Sequence, residues 1–211
     1  MINKTRIQSK YEELINSLTH GIGVVLAIPA VIYLIYFAYL NGDKFRIIGF
    51  SIYGFTLVLI LFLSSFYHGL PKSPLKRLLN KLDHAGIFIF IAGTYTPFLL
   101  ITLRDEFGYP LLIIIWTIAI LGAISEIFWF KIVKNYTVWI CFFMGWLAIS
   151  QIKALIAILP LSAMVLLICG GLTFTIGIYF YKLDHVRYAH NIWHLFVLGG
   201  SGLHYFAMYY I

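Results

Sequence analysis

Long apolar runs separated by brief polar breaks dominate the chain, and the runs are continuous rather than alternating. A helix that crosses a bilayer needs about 17 to 25 predominantly apolar residues. Seven such runs are legible, at 20–40, 45–67, 83–103, 110–130, 136–150, 154–181 and 190–211. The fifth is the shortest and is followed closely by polar Gln151 and Lys153. Continuity favours helices over the period-2 pattern of a membrane barrel. Turn and charge clusters mark breaks at Asn41-Gly42-Asp43, Pro71-Lys72-Ser73-Pro74 and Arg104-Asp105-Glu106. The pattern predicts an all-α protein, a seven-transmembrane helix bundle that forms one domain over 20–211 behind a polar segment over 1–19.

Composition agrees with that reading and excludes others. Of 211 residues, 62% are hydrophobic and 11% charged, and the mean hydropathy is +0.93. A soluble domain carries about 25% charged residues, so a water-soluble globule, a disordered chain and a disulfide scaffold are excluded. Seven spans of about 20 residues use about 140 positions and leave short loops. The polar start of the chain has no apolar signal-peptide core, so the first run is expected to remain as a span. Cys141 and Cys169 lie inside apolar runs, where a thiol behaves as a small hydrophobe.

The formal charge of +7 reads as orientation, not as nucleic-acid binding. Eleven of the 15 Lys and Arg residues fall in the N-terminal segment and the second, fourth and sixth loops, while Lys44, Arg46, Arg104 and Lys153 fall in the other set. Lys and Arg accumulate on the cytoplasmic side, which predicts a cytoplasmic N-terminus and an extracytoplasmic C-terminus in the cell membrane.

Polar groups inside a bundle are costly, at about 2.5 to 3.5 kcal/mol for a charge at a helix centre, and mark functional positions. With this topology the second run ends at Ser64-Ser65-Phe66-Tyr67-His68, the third begins at Asp83-His84, and the seventh begins with His190 and His194. All three ends fall at one cytoplasmic depth. His190 and His194 are four apart and share a helix face. His68 brings the count to the three protein ligands of a catalytic zinc site with one open position. Asp83 can hold the water in that position, and Ser64, one turn from His68, can orient a ligand or substrate. The competing reading makes these side chains interhelical hydrogen-bond partners or interfacial residues facing headgroups.

Glu13, Asn16 and His20 form a polar stripe that either starts an interfacial helix or lines the site. Glu126 reads as structural, able to snorkel or to pair with Lys131. His204 shares the face of His190 but lies 14 residues on, roughly 21 Å along the helix, out of reach of the same ion. The aromatic residues read as lipid-facing filler and interfacial belts.

These residues fall in ordered motifs. Glu13-x-x-Asn16-x-x-Thr19-His20, Ser64-x-x-x-His68, Lys81-Leu82-Asp83-x-x-Gly86 followed by Gly93 and Pro97, and His190-x-x-x-His194 with His204 beyond resemble the hemolysin III family. That family is the bacterial branch of the progestin and adipoQ receptor family and is more distantly similar to alkaline ceramidases. The resemblance implies a seven-helix bundle with zinc bound by His68, His190 and His194, with Asp83 and Ser64 beside it. It also implies hydrolysis of a ceramide-type amide, as associated with the eukaryotic relatives, or a haemolytic, pore-forming effect, from which the bacterial branch is named.

The sequence therefore predicts a zinc protein acting on a membrane lipid or fatty-acid-like ligand, as an amide or ester hydrolase with Asp83 as the base. A cytolysin or channel with structural zinc, and a lipid-sensing receptor without turnover, are the alternatives.

Overall fold

The computed structural model describes residues 6–104, 108–183 and 185–211. Asp105 and Glu106 of the third expected break, and Lys4 of the N-terminal segment, lie outside the described residues. The described residues form α1 (Lys10–Leu40), α2 (Lys44–Gly69), α3 (Pro74–Pro97) with a π-helical turn at Phe98–Thr102, and α4 (Gly108–Gly145) with a 3-10 turn at Leu147–Gln151. Then follow α5 (Ile152–Ile158), α6 (Leu161–Lys182) and α7 (Ala189–Met208). Among the described residues there is no strand.

Six helical segments are long and apolar enough to cross a membrane: Lys10–Leu40, Lys44–Gly69, Pro74–Thr102, Gly108–Lys134, Tyr136–Ile158 and Leu161–Lys182. The seventh expected run is the helix α7, which is outside that set. Its 20 residues would reach about 30 Å, but its buried residues include Asn191, His194, Ser201 and His204.

Helix boundaries depart from the apolar runs where polar residues extend a helix. α1 starts ten residues before the first run because Ser9 and Glu12 form a reciprocal capping box. α3 starts at Pro74, not at residue 83: the Ser73 hydroxyl accepts the Lys76 N–H at 3.0 Å, and Pro74 fits a first helical turn. The fourth run and most of the fifth lie in α4, which bends at Trp129, whose φ of −120° and ψ of 27° are not helical; the fifth run ends in the 3-10 turn. The sixth run is cut at Pro160, which caps α6 and fixes its start at Leu161. Residues 154–158 thus belong to α5.

The core runs between the helices through Leu34, Phe50, Tyr53, Leu61, Phe88 and Ile115. Its aromatic members correct the expectation that such residues only face lipid. α2 packs close to both neighbours: a Cβ on Gly54 would lie 2.0 Å from Val31 Cγ1 of α1, and one on Gly93 of α3 would lie 2.0 Å from Thr56 Oγ1 of α2. Small residues that permit such approach are the usual device of helix packing in lipid. Exposed Val25, Leu26, Phe55 and Ile113 leave an apolar outer surface.

Candidate metal centre

The end of α2 meets the starts of α1, α3 and α7. His68 occupies the last turn of α2 and is 3% exposed. Its Nδ1 lies 2.8 Å from Glu13 Oε2. Lys76 donates to the same carboxylate oxygen at 3.0 Å and to the Leu70 carbonyl at 2.9 Å, tying the start of α3 to the end of α2. His68 Nε2 is buried without a hydrogen-bond partner. An imidazole held by a carboxylate at one nitrogen and free at the other is arranged as metal-binding histidines are.

α7 is set by a second network. Tyr188 precedes it in the left-handed region, at φ 64° and ψ 0°, and its N–H donates to Glu12 Oε1 at 2.9 Å. The Asn191 amide donates to the Glu12 carbonyl at 2.8 Å and to Asn16 Oδ1 at 2.6 Å. Asn16 in turn donates to Gln8 Oε1 at 2.8 Å. Glu12, 1% exposed, also pairs with Arg6 and accepts from the Ser9 N–H and hydroxyl. A non-glycine residue at positive φ is costly, and the Glu12 carboxylate offsets that cost at the entrance to the helix that carries two histidines.

The three predicted ligands come together. Ring centroids of His68 lie 5.2 Å from His190 and 4.9 Å from His194, and those of His190 and His194 lie 4.8 Å apart. One nitrogen from each lies within 4.8 Å of the others, close enough for one ion. His68 and His194 are buried and His190 is half-buried. Three clustered imidazoles, a carboxylate beside one of them and an orphaned buried nitrogen suit a divalent cation of the zinc type.

Ser64, 2% exposed, and Asp83 face each other. Both line the cavity of about 200 Å³ that the three histidines also line. Phe90, Phe142, Trp146 and Phe174 form its apolar walls, and Tyr67, Tyr181 and Trp193 contribute near the histidines. A second cavity of about 100 Å³ shares Tyr95, Trp146, Gly171 and His204 with it and continues towards α5. Part of the aromatic content is therefore cavity wall, which continuous apolar runs could not disclose.

The polar stripe belongs to this site. Glu13 holds His68, Asn16 holds Asn191, and His20 stacks on His194 with ring centroids 3.8 Å apart. His204 lies away from the ligands, with Nε2 3.2 Å from the Leu167 carbonyl. Glu126, fully buried, accepts from Thr137 across the bend in α4 and lies 3.8 Å from His84 Nδ1. Those partners replace the expected pairing with Lys131. Sequence reasoning missed Glu12, Lys76 and Asn191. Ser9-x-x-Glu12 was legible as a capping box, but nothing local signalled that Glu12 would be buried against α7.

The family model described as Haemolysin-III related matches residues 8–205. Hemolysin-3 of Bacillus cereus is 43% identical over 199 residues, which cover 93% of this chain and 90% of the relative. The Hemolysin-3 homolog of Bacillus subtilis (strain 168) is 40% identical over 197 residues, covering 93% and 92%. The human monocyte to macrophage differentiation factor is 30% identical over 205 residues, covering 94% and 84%. No solved structure matches the chain. Motif order, family match and six apolar helices converge: the chain belongs to the haemolysin III family, is a multi-pass membrane protein, and is related to the progestin and adipoQ receptors.

Proposed function

We propose that the protein is a zinc-dependent hydrolase that cleaves an amide or ester bond of a membrane lipid. The observation that carries this reading is the convergence of three imidazoles, Asp83 and Ser64 on one cavity whose wall is mostly apolar. His68, His190 and His194 would hold the ion. A zinc ion held there would supply Lewis-acid polarisation of the scissile carbonyl and activation of the attacking water. Asp83 accepts the proton of the attacking water and returns it to the leaving amine or alkoxide. The Ser64 hydroxyl orients the Asp83 carboxylate, and Glu13 fixes the ring of His68. The aromatic walls exclude bulk water and receive the acyl chain.

In this reading α7 is the seventh span, the N-terminus is cytoplasmic and the site opens near the cytoplasmic face. A second reading, a pore-forming protein with structural zinc, is supported by the printed name of the Bacillus relatives, Hemolysin-3. Purified protein in lipid nanodiscs separates the two. The hydrolase releases fatty acid from N-acyl and O-acyl lipids and stops when a chelator removes the metal. A pore former instead passes a fluorescent solute through vesicles and releases no fatty acid.

A further inference from the structure

His20 is 3% exposed and stacks on His194, with ring centroids 3.8 Å apart and planes 14° from parallel. Neither of its ring nitrogens makes a hydrogen bond; the His194 backbone faces the ring without meeting hydrogen-bond geometry. The ring nevertheless lines the main cavity. Buried polar atoms in folded proteins are nearly always paired, so an orphaned buried imidazole calls for a partner. For His68 the three-histidine cluster explains the free Nε2, but His20 is not a member of that cluster. Stacking covers one face of the His20 ring, and both of its nitrogens are buried without a partner on a ring that lines the cavity.

We propose that His20 is a ligand-binding residue that donates a hydrogen bond to the acyl carbonyl oxygen of the lipid held in this cavity. The class of ligand rests on the hydrolase reading; the hydrogen bond itself requires no turnover. A neutral imidazole offers one N–H donor and one acceptor, and an acyl amide or ester offers a carbonyl acceptor. Asp83 and Ser64 face each other, and His84 is directed at Glu126. His20 stacks on His194, one of the three histidines proposed to hold the ion, so the bond would place the carbonyl next to the ion and orient the lipid for attack.

The test reads binding with two probes that contain no cleavable bond, nonadecan-2-one and nonadecane. Each competes with a fluorescent fatty acid on the purified, zinc-loaded full chain. His20→Phe keeps an aromatic ring for the stack and removes both nitrogens; His20→Gln restores an N–H. His20→Phe should keep its zinc and bind the ketone about three- to tenfold more weakly, as befits one lost hydrogen bond. Alkane binding should not change, and His20→Gln should recover part of the loss. Unchanged ketone binding overturns the proposal, as does equal loss for both probes, which would make His20 a packing residue. Zinc lost in parallel also overturns it, and would make His20 a support for the metal ligands. If Phe is not tolerated, His20→Gln against His20→Ala gives the same ketone-to-alkane comparison. Failure of the hydrolase reading would show as absent turnover with this difference intact.

Discussion

At the scale of single residues, the account assigns separate jobs to groups that share one cavity. Replacing His68, His190 or His194 with Ala should lower zinc content and melting temperature together, because a metal bound only by the folded chain adds to its stability. His204→Ala is the control and should keep its zinc, since its partner is the Leu167 carbonyl and not the cluster. Glu13→Gln keeps the shape but removes the charge that holds His68 Nδ1. Zinc affinity should then fall by the roughly 10- to 100-fold typical of such outer partners, read by competition with a chelator. The clustering of His68, His190 and His194 was legible because imidazoles recur at the ends of apolar runs, where solvation does not demand them. Glu12 was not, because its burial depends on Tyr188 and Asn191, which lie far along the chain at the start of α7.

At the scale of elements, close packing and one bend set where the site residues stand. Gly93→Ala would drive a Cβ into Thr56 between α3 and α2. Overpacking of this kind costs about 1–3 kcal/mol and should appear as a lower melting temperature without a specific loss of zinc. Thr137→Val removes the hydroxyl that pairs with Glu126 across the bend at Trp129. A buried carboxylate left unpaired costs about 1–3 kcal/mol, and Glu126→Gln in the same chain should recover part of that loss. The helices themselves follow from hydropathy, since most of each apolar run is helical. Their ends follow hydropathy less well. The polar first turns of α1 and α3 form because Ser9 and Ser73 cap them, and a count of apolar residues cannot see that. Pro160 was a visible breaker inside a long apolar run, and its missing N–H decides where α6 begins.

For the whole molecule, the distribution of basic residues and the position of the site make one connected claim. Reporter fusions after Lys72 should report the cytoplasm and fusions after Arg104 the exterior, because Lys and Arg are concentrated on the side of the histidines. The opposite pattern would move the site to the outer leaflet. The central claim is that the metal centre performs hydrolysis, and Asp83→Asn tests it most directly. Three imidazoles would suffice to hold an ion without Asp83, whereas attack by water requires a base. The measurement is zinc per chain together with release of fatty acid from N-acyl and O-acyl lipids, for the wild type and this variant. The account predicts that the variant keeps most of its zinc and loses turnover by about 10²- to 10⁴-fold. A variant with its zinc in place and fatty-acid release undiminished would contradict it.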